Sequence, residues 1–312
     1  MIGKVVVVTG GAGFIGSNLA EKLAIDNSVI IIDDLSTGRK ENVASLIKRD
    51  NIRFIQGSIL DLNLLEESFR GVDFVFHQAA LSSVPRSIRD PLSTNEVNIT
   101  GTINVLVAAR ATNVEKVIYA SSSSVYGDTP TLPKREDMPP NPQSPYALTK
   151  LVGEYYCRIF HQVYSLPTIC LRYFNVYGPR QDPNSEYAAV IPRLISKVSQ
   201  DKPIIIYGDG TQSRDFTFIE DIIQANIIAA ENNTTGIFNI GRGERITINE
   251  LAKLVITIIG KNIETIYQQP RAGDVKHSLA DISKAKTFGY KPKYSLEEGL
   301  KVTIKEFDDE GN

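Results

Sequence analysis

Tyr146 and Lys150, in the run Pro145-Tyr146-Ala147-Leu148-Thr149-Lys150, stand one helical turn apart, so both side chains can face one site. A phenol beside an ammonium group can serve as a general base near neutral pH, because the positive charge favours the phenolate. Alone, the pair suits an ordinary amphipathic helix equally well. Ser121 to Ser124 close a β-branched stretch and would offer hydroxyls on the carboxyl side of a strand, where open α/β sheets bind ligands, although such a run can also cap a turn. A third pattern, Thr9-Gly10-Gly11-Ala12-Gly13-Phe14-Ile15-Gly16, puts glycines at 10, 13 and 16 between a strand and a helix. There the chain can turn tightly, approach a pyrophosphate closely and offer it the free N–H groups of a helix start. The next apolar run ends in Asp33, about twenty residues on, where a carboxylate can take adenosine ribose hydroxyls. Asp33 and Asp34 would repel a 2′-phosphate, which favours NAD over NADP. Arg39 could oppose this by folding over the ribose, but it reads as a solvated surface arginine.

The elements that must position these residues alternate. β-Branched runs at Val5 to Thr9, Val29 to Asp33, Phe54 to Gln56, Phe74 to His77, Val117 to Ser121 and Ile169 to Tyr173 are separated by helical spacing at Phe14 to Ala24, Asn95 to Ala111 and Tyr146 to Tyr164. This order predicts an α/β fold, a Rossmann-type doubly wound parallel sheet with helices on both faces. After Tyr177-Gly178-Pro179 the texture changes, with more proline, glycine and polar residues, a short run at Ile204 to Tyr207 and a helix over Ala189 to Val198. We read this as a smaller mixed α/β substrate-binding domain. The expected division gives residues 1–175 with about 215–240 to the dinucleotide domain, and about 176–214 with 241–312 to the substrate domain.

Taken together the motifs resemble the extended short-chain dehydrogenase/reductases, and within them the UDP-hexose 4-epimerases, most of all the UDP-N-acetylglucosamine 4-epimerase branch. The resemblance runs from Gly10 to about Asp281 and includes His77-Gln78-Ala79-Ala80, the serine run, Tyr146 with Lys150, Arg172-Tyr173-Phe174-Asn175-Val176-Tyr177-Gly178-Pro179 and Arg271-Ala272-Gly273-Asp274. It implies that Tyr146 is the base for a C4 hydroxyl, with Lys150 beside it and Ser122, or its neighbour Ser123, bonded to the reacting hydroxyl. It implies NAD as cofactor, bound by Gly10, Gly13, Phe14, Ile15, Gly16, Asp33, Asp34, Ser36, Thr37, Gly38, Ser58, Ile59, Gln78, Ala79, Ala80, Tyr146, Lys150 and Tyr173. The UDP-sugar substrate would meet Ser82, Ser83, Ser122, Tyr146, Asn175, Ala189, Val190, Tyr207, Arg214, Arg271, Asp274 and Ser278, the two arginines matching phosphate oxygens with their planar forks.

The same resemblance sharpens the reaction and the sugar. Related dehydratases carry acidic residues after the catalytic hydroxyl, whereas this chain has Ser123 and Ser124, poor acids or bases unaided. UDP-glucuronate 4-epimerases tend to have threonine at Asn175. Glucose-specific relatives often have a bulky aromatic where Ser278 stands, so a pocket open to an N-acetyl group is expected. Some relatives have a lysine near the nicotinamide where this chain has Ser82, so cofactor affinity is expected to differ. A homodimer through the helices near Asn95 to Ala111 and Tyr146 to Tyr164 is also implied.

Composition excludes other classes. With 312 residues, 42% hydrophobic and 22% charged, the chain can bury a full core. Lys+Arg 34 against Asp+Glu 36 gives no reason to expect nucleic acid or an anionic membrane as partner. The N-terminus lacks the pattern of a secretory signal, and Cys157 and Cys170 read as buried thiols in a reducing cytoplasm, so a cytoplasmic location is expected. His77, His161 and His277 are too scattered to suggest a metal site.

Overall fold

A computed structural model describes residues 1–183, 188–269 and 275–310. Its centre is a seven-stranded sheet: β1 (Val5–Thr9), β2 (Ser28–Asp33), β3 (Ile52–Gln56), β4 (Phe74–His77), β5 (Lys116–Ser122), β6 (Thr168–Tyr173) and an edge strand, Gly236–Ile240. The spatial order is edge strand, β6, β5, β4, β1, β2, β3, and every pair is parallel. The strand order therefore reverses between β1 and β4, which opens a crevice at their carboxyl ends. The edge strand is absent from the expected elements. Its short run Gly-Ile-Phe-Asn-Ile alternates too little to mark a strand, and it is recruited by pairing with β6.

Alternate residues feed two cores, as the period of a strand requires. Val6 and Val8 pack with Ile31, Phe76 and Ile118 on one face, whereas Val7 packs with Ile32, Val75 and Val117 on the other. The first face is covered by α1 (Phe14–Leu23) and α8 (Ile219–Glu231), the second by α2 (Leu62–Ser68), α5 (Gly101–Ala111) and α6 (Pro145–Tyr164). Between α2 and α5 lie two short helices, α3 (Val84–Arg89) and α4 (Pro91–Asn95). The expected helix at Asn95 to Ala111 is interrupted by a widened π-type turn at Glu96–Thr100, which precedes α5.

α6 begins where Ser144 caps Ala147 N–H at 3.2 Å and Pro145 takes the first turn, and it ends on Ser165 in the left-handed conformation. The remaining elements pack together beside the sheet: α7 (Val190–Ser199), α9 (Ile248–Ile259, started by a Thr247/Glu250 capping box) and α11 (Leu296–Glu310), with Ile204–Tyr207 parallel to Thr265–Gln268. A last short helix, α10 (Ser283–Lys286), lies against the edge strand.

Candidate active site

The glycine turn leaves β1 at Gly10, where φ is +67° and a Cβ would lie 2.6 Å from the Ala79 backbone. At Gly16 a Cβ would lie 2.1 Å from the Gly10 carbonyl oxygen. These two positions let α1 start directly over the ends of β1 and β4, with its first N–H groups facing the cleft. Asp33, at the end of β2, is buried, and its carboxylate accepts from Ala12 N–H at 2.9 Å and Leu35 N–H at 2.8 Å. Burial pushes its pKa up, while those backbone donors pull it down. Gly38 presses on the same carboxylate: a Cβ there would stand 2.6 Å from Oδ1.

A cleft of about 380 Å³ runs from this turn to α6. Gly10, Gly13, Phe14, Ile15, Gly16, Asp33, Asp34, Ser36, Thr37 and Ile59 line one part of it, and Gln78, Ala79, Ala80, Ser82, Ser83, Tyr146, Lys150 and Tyr173 line the rest. The fit to a dinucleotide is physical: a cradle that any side chain would fill, a helix start for phosphates and a buried carboxylate for a ribose. Ser58 and Gly38 are not part of this wall. Ser58 instead accepts from Leu60 N–H at 3.2 Å, and Gly38 acts by leaving room for Asp33.

The Arg39 side chain is 42% exposed, as expected of a surface arginine. It lines the cleft, with Nη1 3.8 Å from Asp182 Oδ1, a partner too distant in sequence to foresee.

At the β5 side of the cleft, Lys150 is buried and donates from Nζ to the Ala120 carbonyl at 2.8 Å. Burial lowers its pKa to about 8, opposed by Cys157 and by the Glu154 carboxylate. Tyr146 stands one turn earlier on the same face. Burial raises its pKa, and the Ser122 hydroxyl, its hydrogen-bond partner, pulls it down. The lowering expected from Lys150 is absent from this balance; the lysine directs its ammonium to the Ala120 carbonyl instead. Ser122 Oγ also accepts from Ser124 Oγ at 2.9 Å, and Ser123 opens the short turn Ser123–Tyr126. His77 is wholly buried between the Thr9 and Thr102 hydroxyls, 2.8 and 2.9 Å away, and burial lowers its pKa to about 3, so it offers the site no proton.

A second pocket, about 640 Å³, adjoins the cleft at Ala188 and Ala189. Asn175, Ala189, Val190, Tyr207 and Arg214 line it together, although Asn175 and Arg214 lie on different connections. Asn175 Nδ2 donates to the Asp215 carbonyl at 2.9 Å, which fixes the chain beside Arg214. Asp215 itself is buried and accepts from the N–H groups of Arg242, Gly243 and Ala280; burial raises its pKa to about 6. Ser278 lines neither cavity. It is buried, and its N–H donates to the Ser213 carbonyl at 3.0 Å, which packs the segment against the base of Arg214. Arg271 and Asp274 lie outside the described residues.

Two features of the site escape sequence reasoning. Gln78, Tyr173 and Asn226 form a hydrogen-bonded cluster at the cleft floor, 2.8 to 3.2 Å apart, whose third member comes from α8. Asn98, in the π-type turn, clamps the Leu81 peptide with bonds of 2.8 and 3.2 Å and donates to Thr149 at 3.0 Å, beside Lys150. Only the fold brings these residues together; Gln78 and Tyr173 stand in motifs that carry the resemblance, but no local motif marks Asn226 or Asn98. Among the described residues no group of acidic, histidine or cysteine side chains could hold a metal, and no helix is long and apolar enough to cross a membrane.

Residues 6–241 match the family described as NAD dependent epimerase/dehydratase. The UDP-glucose 4-epimerase of Mycolicibacterium smegmatis is 38% identical over 307 residues, 96% of this chain and 97% of that one. A structure of the UDP-N-acetylglucosamine 4-epimerase of Methanobrevibacter ruminantium in complex with UDP-N-acetylmuramic acid superposes with TM-score 0.97 at 44% identity, over 99% of this chain and 100% of that one. The UDP-glucose 4-epimerase of Thermotoga maritima, solved with UDP-glucose, gives TM-score 0.94 at 38% identity, again over 99% and 100%.

Proposed function

Because this chain belongs to the NAD-dependent epimerase/dehydratase family, we propose that it inverts C4 of a UDP-hexose, and that it accepts UDP-GlcNAc/UDP-GalNAc as well as UDP-glucose/UDP-galactose. One observation carries the reading: Tyr146, Lys150 and Ser122 converge beside a dinucleotide cleft that adjoins a second pocket holding Asn175, Tyr207 and Arg214. NAD is thereby assigned to residues 1–175 with about 215–240, and the UDP-sugar mainly to the remainder.

Bound in the cleft, NAD would supply the hydride acceptor and donor, so that C4 is oxidised to a ketone and then reduced from its opposite face. Tyr146, as the phenolate, takes the proton of the C4 hydroxyl as the hydride leaves and gives it back as the hydride returns. Ser122, already bonded to that phenol, holds the reacting oxygen. Lys150, held at the Ala120 carbonyl, keeps its ammonium one helical turn from Tyr146 on the same face of α6. Arg214, with Arg271, holds the diphosphate, Asp274 takes ribose hydroxyls and Tyr207 packs against the base. Dehydration fits less well. Among the described residues the carboxylates lining the cleft are Asp33, Asp34 and Asp182, and Ser122 is surrounded by neutral hydroxyls instead.

Acceptance of the N-acetyl sugar is read from the small side chain at Ser278, which lies behind the pocket walls rather than in them, so a bulky residue there would have to push a wall into the sugar space. In Ser278→Tyr the ratio of kcat/KM for UDP-GlcNAc to that for UDP-glucose is expected to fall on the order of tenfold. Steady-state rates on both sugars measure it, and an unchanged ratio would remove Ser278 from the account of specificity.

The assembly is read from α6. Leu148, Tyr155, Ile159 and Val163 are exposed at intervals of seven and four residues, one apolar stripe along a helix face. A homodimer through this stripe is expected by light scattering, with Ile159→Glu combined with Val163→Glu giving monomers. Monomeric wild-type protein would contradict it.

A further inference from the structure

Beneath the reacting groups lies a pair of charges that the proposed chemistry does not use. Glu154 stands on α6 one turn beyond Lys150, so Tyr146, Lys150 and Glu154 share one face. It is fully buried. Its Oε1 accepts from the Ser121 hydroxyl at 2.5 Å and from Arg172 Nε at 2.8 Å, and its Oε2 accepts from Arg172 Nη2 at 2.7 Å. Arg172, on β6, is 2% exposed, and its guanidinium stacks 4.7 Å from the ring of Tyr126, in the turn that follows Ser122. Its Nη1 is buried without a hydrogen-bond partner.

Successive residues of β5 are thus each tied to one turn of α6. Ser122 is bonded to Tyr146, Ala120 to Lys150 and Ser121 to Glu154. Tyr126, held by Arg172, extends the tie through its hydroxyl, which donates to Asn239 at 2.7 Å on the edge strand. Stability alone does not explain such a pair, because the desolvation of two buried charges offsets most of their attraction. A leucine and a methionine would fill the same space. What the charges add is direction: the carboxylate fork fixes where α6 sits along β5 and β6.

We infer that Glu154, braced by Arg172, is a positioning residue for the epimerisation, setting the register of α6 on β5 and so keeping Tyr146 and Lys150 in line with Ser122. This rests on the reading of those three residues as the reacting site.

The test compares four variants with the wild-type enzyme on UDP-glucose. Glu154→Leu combined with Arg172→Met removes both charges together and leaves neither stranded. Expected are a folded protein and a kcat lower by up to about a hundredfold, since a shift of about 1 Å in a reacting group has that effect, with KM little changed. Ser121→Ala, which leaves the ion pair intact, is expected to lower kcat about tenfold without lowering Tm, and Ser121→Thr, which restores the hydroxyl, to recover the rate. If the double variant does not fold, the Ser121 pair decides. Wild-type kcat in Ser121→Ala, or in a folded double variant, overturns the inference. Tyr146→Phe separates the two readings: an active Tyr146→Phe sinks the site assignment itself, whereas an inactive one beside a fully active Ser121→Ala sinks only the positioning role.

Discussion

Tyr146→Phe is expected to lower kcat by roughly three orders of magnitude while leaving the affinity for NAD and UDP-sugar within a few-fold of wild type. The change deletes one oxygen from a side chain that lines the cleft and is bonded to Ser122. Shape and burial are kept, so the helix and the walls of both pockets have no reason to move. What is lost is the group that takes the hydroxyl proton, and with it the route by which C4 can give up a hydride. Ser122 cannot substitute. Its hydroxyl is an ordinary one, bonded to Ser124 at 2.9 Å, and the neutral, buried His77 sits too deep to reach a substrate. Lys150 is charged below about pH 8 and so cannot accept a proton at neutral pH. Turnover on UDP-glucose, with binding followed by calorimetry, checks the expectation; a loss of binding equal to the loss of rate would instead point to a collapsed site.

The second large effect lies at the other end of the cleft. Gly16→Val is expected to abolish NAD binding and to destabilise the fold by about 1–3 kcal/mol, the usual range for forcing extra atoms into packed space. A Cβ at this position meets the Gly10 carbonyl oxygen at 2.1 Å and the Gly11 Cα at 2.8 Å, and all of the crowding atoms are backbone. α1 would have to lift away from the turn, taking its N–H groups from the phosphates. Gly71→Ala supplies the contrast. Gly71 also has a positive φ, +74°, yet a Cβ there meets nothing within 4 Å, so the variant pays only a backbone strain of about 1 kcal/mol and binds NAD normally. Titration of NAD into the two variants, with Tm alongside, distinguishes crowding at the cradle from a general intolerance of glycine replacement. Normal NAD affinity in Gly16→Val would show that the turn is not the phosphate site.

Much of this was legible in the residues themselves, for reasons that differ from one element to the next. β1, β4 and β6 are buried on both faces, so each carries consecutive apolar residues, Val5 to Val8, Phe74 to Phe76 and Ile169 to Leu171, and their positions follow from those runs. The cradle was legible because glycine at 10, 13 and 16 has few other uses between a strand and a helix. Tyr146 and Lys150 acquired meaning only beside the serine run, since a tyrosine and a lysine one turn apart are common.

What stayed hidden depends on long-range contact. Nothing in the sequence pairs Glu154 with Arg172, and only the packing of α6 over β6 reveals that each buries the other. The edge strand Gly236–Ile240 has an exposed first residue and no neighbour beyond it, so its sequence carries half the signal of a central strand. Ser278 was expected at a pocket wall, but its backbone bond to Ser213 keeps it beneath the walls of both cavities.

The measurement that tests the account most directly uses UDP-glucose carrying deuterium at C4, incubated in ordinary water with the purified protein and NAD. The account predicts UDP-galactose with the deuterium still on C4, because the hydride removed from one face is the one returned to the other. Failure to form the C4 epimer, or an epimer whose label has exchanged with solvent, would contradict it.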